Sequence, residues 1–179
     1  MKTLDLSKFA ARKDFLRPQM CGVFHDNGFC VASNTYVVVA VRQDYPADLE
    51  QKIIGRDGQE IKEGGRYPRW RFVFPDENEG VGYTVDSAAV RDLVRQERAD
   101  KKGLARVAYV KAGNVFFRAS HMKSLCEFMD AYGVHELRVC GPGRPAYVVA
   151  PDGSRAAISP ALARGFWEED RGGHLWLEL

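Results

Sequence analysis

Phe15-Leu16-Arg17-Pro18-Gln19-Met20-Cys21-Gly22-Val23-Phe24, followed by Phe29-Cys30-Val31-Ala32-Ser33-Asn34-Thr35-Tyr36-Val37-Val38-Val39-Ala40-Val41, is the stretch on which the fold turns. A charged helix is expected to end at Leu16-Arg17-Pro18, because proline cannot continue it. A hairpin follows at once, with Cys21 to Phe24 as its first arm and Phe29 to Val41 as its second. The second arm is β-branched and apolar, and the polar residues Ser33 to Thr35 mark a corner or bulge within it.

Working outward, Ser7 is positioned to cap that first helix, with Phe9, Ala10, Lys13 and Leu16 as its inner stripe and Lys8 and Arg12 on its exposed side. Beyond the hairpin, Lys52 to Lys62 reads as two short strands joined at Asp57-Gly58. Residues 64 to 80 are punctuated by Gly64-Gly65, Pro68 and Pro75 and form the expected divide between two halves of the fold. The second half opens with a strand, Gly82 to Val85, and a helix capped by Asp86 or Ser87 whose Val90, Leu93 and Val94 face inward. Arg91, Arg95, Arg98 and Lys102 recur at helical spacing on its other face. A hairpin through Ala112-Gly113 leads to a third helix opened by Ser120, with Met122, Leu125, Cys126, Met129 and Tyr132 buried and Gly133 ending it. Three strands, 136–140, 145–150 and 155–159, close the pattern. Helices alternating with runs of antiparallel strands predict an α+β fold, an antiparallel curved sheet with about three helices on one face.

Composition narrows the function classes. The chain has 179 residues, 45% of them hydrophobic, enough for one well-cored unit. Its formal net charge is only +2, so any nucleic-acid contact must come from local clustering. Cys21, Cys30, Cys126 and Cys140 lie in apolar stretches without a Cys-x-x-Cys pair, the pattern of reduced thiols in a cytoplasmic protein and not of a metal centre. No apolar run reaches the length of a membrane span. The four histidines are scattered, and Ser120-His121-Met122-Lys123, which spells the Ser-x-x-Lys of penicillin-binding enzymes, has no partner motif. The expectation is a non-enzyme with no cofactor, no metal and no catalytic residue.

The order of the motifs resembles the bacterial DNA polymerase III beta sliding clamp. Arg17-Pro18, Gly22-Val23-Phe24 and Val31-Ala32-Ser33-Asn34 stand where that family has a helix end, a strand and the start of its Val-Ala-Thr-Asp signature. Tyr67-Pro68-Arg69-Trp70 with Phe74-Pro75 is similar to the family's Phe-Pro-Asp-Tyr and Ile-Pro steps. Phe116 to Leu125 resembles its last strand and helix entry, and Tyr147-Val148-Val149 to Ser159-Pro160 its closing strands. The pattern departs in two places: Asn34-Thr35-Tyr36 replaces Asp-x-His-Arg, and Ser159 replaces the terminal Met beside the family's peptide-binding pocket, so no pocket residue carries over. A clamp subunit has three domains and closes a ring as a dimer, whereas this chain suggests one clamp-like domain over residues 1–162, with a tail at 163–179.

The resemblance implies a clamp-like binding or scaffolding module of DNA replication, with helices presenting cations to phosphates without reading bases. Arg91, Arg95, Arg98 and Lys102, joined by Lys8 and Arg12, are the candidate residues. The implied partners are DNA and a replication or mobile-element protein, with a homo-oligomer open. Two alternatives stand beside it: a protein-interaction module with the clamp fold and no DNA contact, and KH-type single-stranded RNA binding through Gly55-Arg56-Asp57-Gly58, a Gly-x-x-Gly loop that would have to join two helices. The apolar tail Gly172-Gly173-His174-Leu175-Trp176-Leu177-Glu178-Leu179 is expected to pack as an edge strand or against its own domain, with docking on a partner as the alternative.

Overall fold

A computed structural model of the chain describes residues 4–76, 78–99, 107–161 and 175–179. Asn27 and Gly28, both at positive φ (49° and 75°), turn β1 (Gly22–Asp26) back into β2 (Phe29–Ser33), the geometry that two-residue hairpins favour. The polar break at Ser33 to Thr35 is a full reversal and not a bulge. The Asn34 side-chain oxygen accepts from the backbone N–H of Tyr36 at 3.1 Å and of Val37 at 2.9 Å. Thr35 sits at φ 78°, and β3 (Val37–Arg42) returns antiparallel to β2. An Asx turn of this kind offers the backbone local partners where a ladder would otherwise continue.

The remaining strands are β4 (Ile53–Gly55), β5 (Val81–Thr84), β6 (Ala108–Ala112), β7 (Val115–Arg118), β8 (Glu136–Val139), β9 (Ala146–Val149), β10 (Arg155–Ile158) and β11 (Leu175–Glu178). Eight of the eleven strands among the described residues form one antiparallel sheet in the order β4-β1-β2-β3-β10-β9-β8-β5. The ladder between β3 and β10, from Val37 opposite Ile158 to Ala40 opposite Arg155, joins the early strands to the late ones. A second sheet has the order β11-β6-β7. Its β11 runs parallel to β6, which corrects the all-antiparallel expectation at one edge and realises the edge-strand reading of the tail.

Two α-helices are present among the described residues, α1 (Ser87–Ala99) and α2 (Ala119–Tyr132), where three were expected. The missing one is the first. Only a 3₁₀ turn, Leu6–Lys8, forms there, and Asp5 caps it in place of Ser7. The Asp14 carboxylate then folds back onto the N–H groups of Leu16 (3.1 Å) and Arg17 (2.9 Å), a local turn that competes with helix. Phe15 and Leu16 are left exposed, and a second 3₁₀ turn, Pro18–Cys21, leads into β1. Helix α1 is capped as expected: Asp86 accepts from the N–H of Ala88 at 2.8 Å. Helix α2 starts without a side-chain cap, so Ser120 lies inside its first turn, and Gly133 ends it in the left-handed region.

Period-two alternation places a core on each face of the large sheet. Cys30, Ala32, Val37, Val39, Ala156 and Ile158 point toward α1 and α2, where Leu93, Met122, Leu125 and Phe128 meet them. Val31, Val38, Ala40, Tyr147 and Ala157 point the other way, against Met20, Tyr67 and Trp70. The segment read as a divide is therefore a cover over the second face, and its Trp70 lies in a 3₁₀ turn, Trp70–Val73. Gly55 to Gly58 closes a β-turn: the Gly55 N–H donates to Gln59 and the Ile61 N–H to Ile53, both at 2.8 Å. That is the expected hairpin, and a loop joining two helices, which KH-type binding needs, is not what these residues build.

Candidate functional site

Of the cations singled out in the sequence, Arg91 and Arg95 lie on α1 with described side chains. On α1, Arg91 reaches across to α2 and pairs with Asp130 at 2.7 Å, while Arg95 pairs with Asp92 at 2.7 Å on its own helix. Burial pushes the Asp130 carboxyl up, but the hydrogen bond from Arg91 and its charge outweigh it and hold the group below its ordinary range. Arg91 is correspondingly raised, chiefly by its bond to Asp130. Lys8, exposed at the end of the first 3₁₀ turn, borders a cavity with Glu127 and Asp130 of α2. The fold thus brings Lys8 and Arg91 to the same stretch of α2. Arg12 is exposed and makes no hydrogen bond or ion pair among the described residues. Arg98 lies in the last turn of α1, and Lys102 lies outside the described residues.

A second site was not legible as one. Between β4, the hairpin after it and the cover lies a cavity of about 700 Å³. Five cationic side chains line it, Lys52, Lys62, Arg66, Arg69 and Arg71, against two carboxylates, Asp26 and Glu60. Asp26 is buried and already engaged: it accepts from the Trp70 indole N–H at 2.8 Å and from Gln51 at 2.8 Å, and pairs with Arg71. Phe24 stacks on Tyr67 with ring centroids 4.8 Å apart, and burial raises the Tyr67 hydroxyl well above its usual range. Phe72 at the rim is 81% exposed, with the Arg69 guanidinium 5.9 Å from its ring centre. The density of cations and aromatics between Lys62 and Phe72 was the available signal, masked by the glycines and prolines that read as a connection.

No group of three or more His, Cys, Asp or Glu able to hold a metal occurs among the described residues. No helix among them is long and apolar enough to cross a membrane. All four cysteines are free, and burial raises the Cys30 and Cys126 thiols to about 11.

No protein-family model and no curated protein sequence matches the chain. Solved structures do. A beta sliding clamp from Caulobacter crescentus superposes with a TM-score of 0.64 at 14% identity, over 87% of this chain and 61% of that one. The DNA polymerase III subunit beta of Pseudomonas aeruginosa gives 0.60 at 13% identity, over 87% and 62%. A DnaN sliding clamp from Bartonella birtlesii gives 0.64 at 11% identity, over the same shares. The chain thus spans less than two thirds of the length of the structures it matches. Sheet, helices and their order together give this protein the fold of the bacterial DNA polymerase III beta sliding clamps.

Proposed function

We propose that this protein is a non-catalytic clamp-like module of DNA replication or metabolism in the cytoplasm, and that its helix face contacts duplex phosphates without sequence preference. The observation that carries this reading is the likeness to sliding clamps over 87% of the chain. In the proposal, residues 1–162 act as one clamp-like domain and 163–179 as its tail. Arg91, Arg95, Arg98 and Lys102 are the contacting row, and Lys8 and Arg12 extend it. Its partners are DNA and a replication or mobile-element protein, and a homo-oligomer is the assembly to look for by solution mass.

The ion pairs of Arg91 and Arg95 favour a second reading, an interaction module of the same fold that has no DNA contact. Magnitudes keep the first reading ahead. Exposed ion pairs are worth only about 0.2 to 1 kcal/mol, so a row of phosphates can exchange with Asp92 and Asp130 at small cost. The deciding experiment is the affinity for random duplex DNA as a function of salt. With four or more phosphates engaged, binding should weaken roughly a hundredfold between about 50 and 200 mM salt, and the double variant Arg95→Glu, Arg98→Glu should abolish it. Undiminished binding by that variant removes the helix face from the site, and no binding at low salt leaves the interaction module.

A further inference from the structure

We propose that the cavity on the cover side of the large sheet is a binding site for single-stranded nucleic acid, separate from the helix face. Two kinds of group converge there. The first is charge. With Asp26 held by Arg71, Trp70 and Gln51, the cations Lys52, Lys62, Arg66 and Arg69 face a cavity whose one other carboxylate is Glu60. Lys52, Lys62 and Arg66 make no side-chain hydrogen bond or ion pair among the described residues. On a chain whose formal net charge is only +2, this is a local basic concentration, and it differs from the helix face, where Arg91 and Arg95 are neutralised by neighbours. A concave wall with an excess of positive charge attracts a polyanion.

The second is aromatic surface. Phe72 is 81% exposed, and Arg69 lies over its ring. Phe24, only half buried, lines the same cavity. An exposed ring beside guanidinium groups is the combination on which unpaired bases stack while cations track the backbone. A duplex keeps its bases inside and cannot use Phe72, so the arrangement selects single strands. At about 700 Å³ the cavity has room for a short segment, in the ~300–1,000 Å³ range of ligand sites. The cover is anchored for the purpose: Trp70 is buried and its indole N–H is fixed to Asp26, which sets Phe72 and Arg69 on either side of a rigid residue.

Fluorescence anisotropy with a labelled oligothymidylate tests the proposal. The wild-type protein should bind it in a salt-dependent manner. Phe72→Ala should weaken binding by roughly five- to a hundredfold, the range expected for one lost stacking partner. Lys62→Glu with Arg66→Glu should abolish it. Both variants change exposed residues, so unchanged thermal unfolding will show that the fold is intact, and both should bind duplex DNA as the wild type does. An abasic chain of the same length should bind more weakly than the oligothymidylate. Equal binding of the abasic chain, tighter binding of an acidic aromatic peptide, or full oligothymidylate binding by either variant would overturn the proposal. Because duplex binding is read in parallel with the Arg95→Glu, Arg98→Glu protein, failure here is distinguishable from failure of the helix-face reading.

Discussion

Asp26 does at the scale of one residue what the cover needs: a buried carboxylate at the end of β1 receives Trp70, Gln51 and Arg71. Asp26→Ala should therefore cost about 1–3 kcal/mol, because the indole N–H is left buried and unpaired. Urea denaturation measures this, and a loss under 0.5 kcal/mol would mean that packing alone holds the cover. His121 gives the fold a pH response. It stacks on Tyr36 with centroids 4.3 Å apart, and burial, with Arg118 nearby, lowers it below its ordinary 6.5. A base depressed in the folded state adds stability that is present above the unfolded pKa and lost as pH falls through the folded one. Stability should thus fall as the pH drops below about 6.5, and His121→Gln should flatten that part of the profile. Neither role was legible in the sequence. Asp26 fell in the turn between the two expected hairpin arms and His121 in the third helix, while Trp70, Gln51 and Tyr36 lie far away along the chain.

Among the elements, α1 was the most legible, since its cap, inner stripe and charged face all follow from local spacing. Asp86→Ala should destabilise it by about 1 kcal/mol, measurable as a shift in the urea midpoint without change in slope. The first helix was the least legible. Its apolar spacing is helical, but Leu6, Phe9 and Ala10 are buried from a 3₁₀ turn and the Asp14 turn takes the rest. Propensity gave way there to packing and to a side chain that competes for backbone donors. The tail strand β11 packs Leu175, Leu177 and Leu179 against the main core and stacks Trp176 on Tyr109 at 5.5 Å. Removing residues 175–179 should lower stability by on the order of 2 kcal/mol. Unchanged stability would show that this strand contributes little within its own molecule and is available to a partner.

Over the whole molecule, the α+β class and the order of the late strands could be read from turn residues and alternation, as at Pro151-Asp152-Gly153 between β9 and β10. What joined the halves could not, because the ladder between Val37–Ala40 and Arg155–Ile158 is a long-range pairing that no local pattern encodes. The same holds for the two-sided burial of the large sheet. Val37 to Val41 is apolar at every position, so a continuous run concealed that alternate residues serve different cores. The proposed helix-face row was legible as a run of charge, but the pairing of Arg91 with Asp130 depends on how α1 meets α2. Whether this clamp fold presents its helix face to duplex DNA is decided by amide hydrogen exchange with and without a short random-sequence duplex. Protection should rise in residues 87–97 and 119–131 and stay unchanged in the cover, residues 64–76. Protection confined to the cover, or none on either helix at low salt, would contradict it.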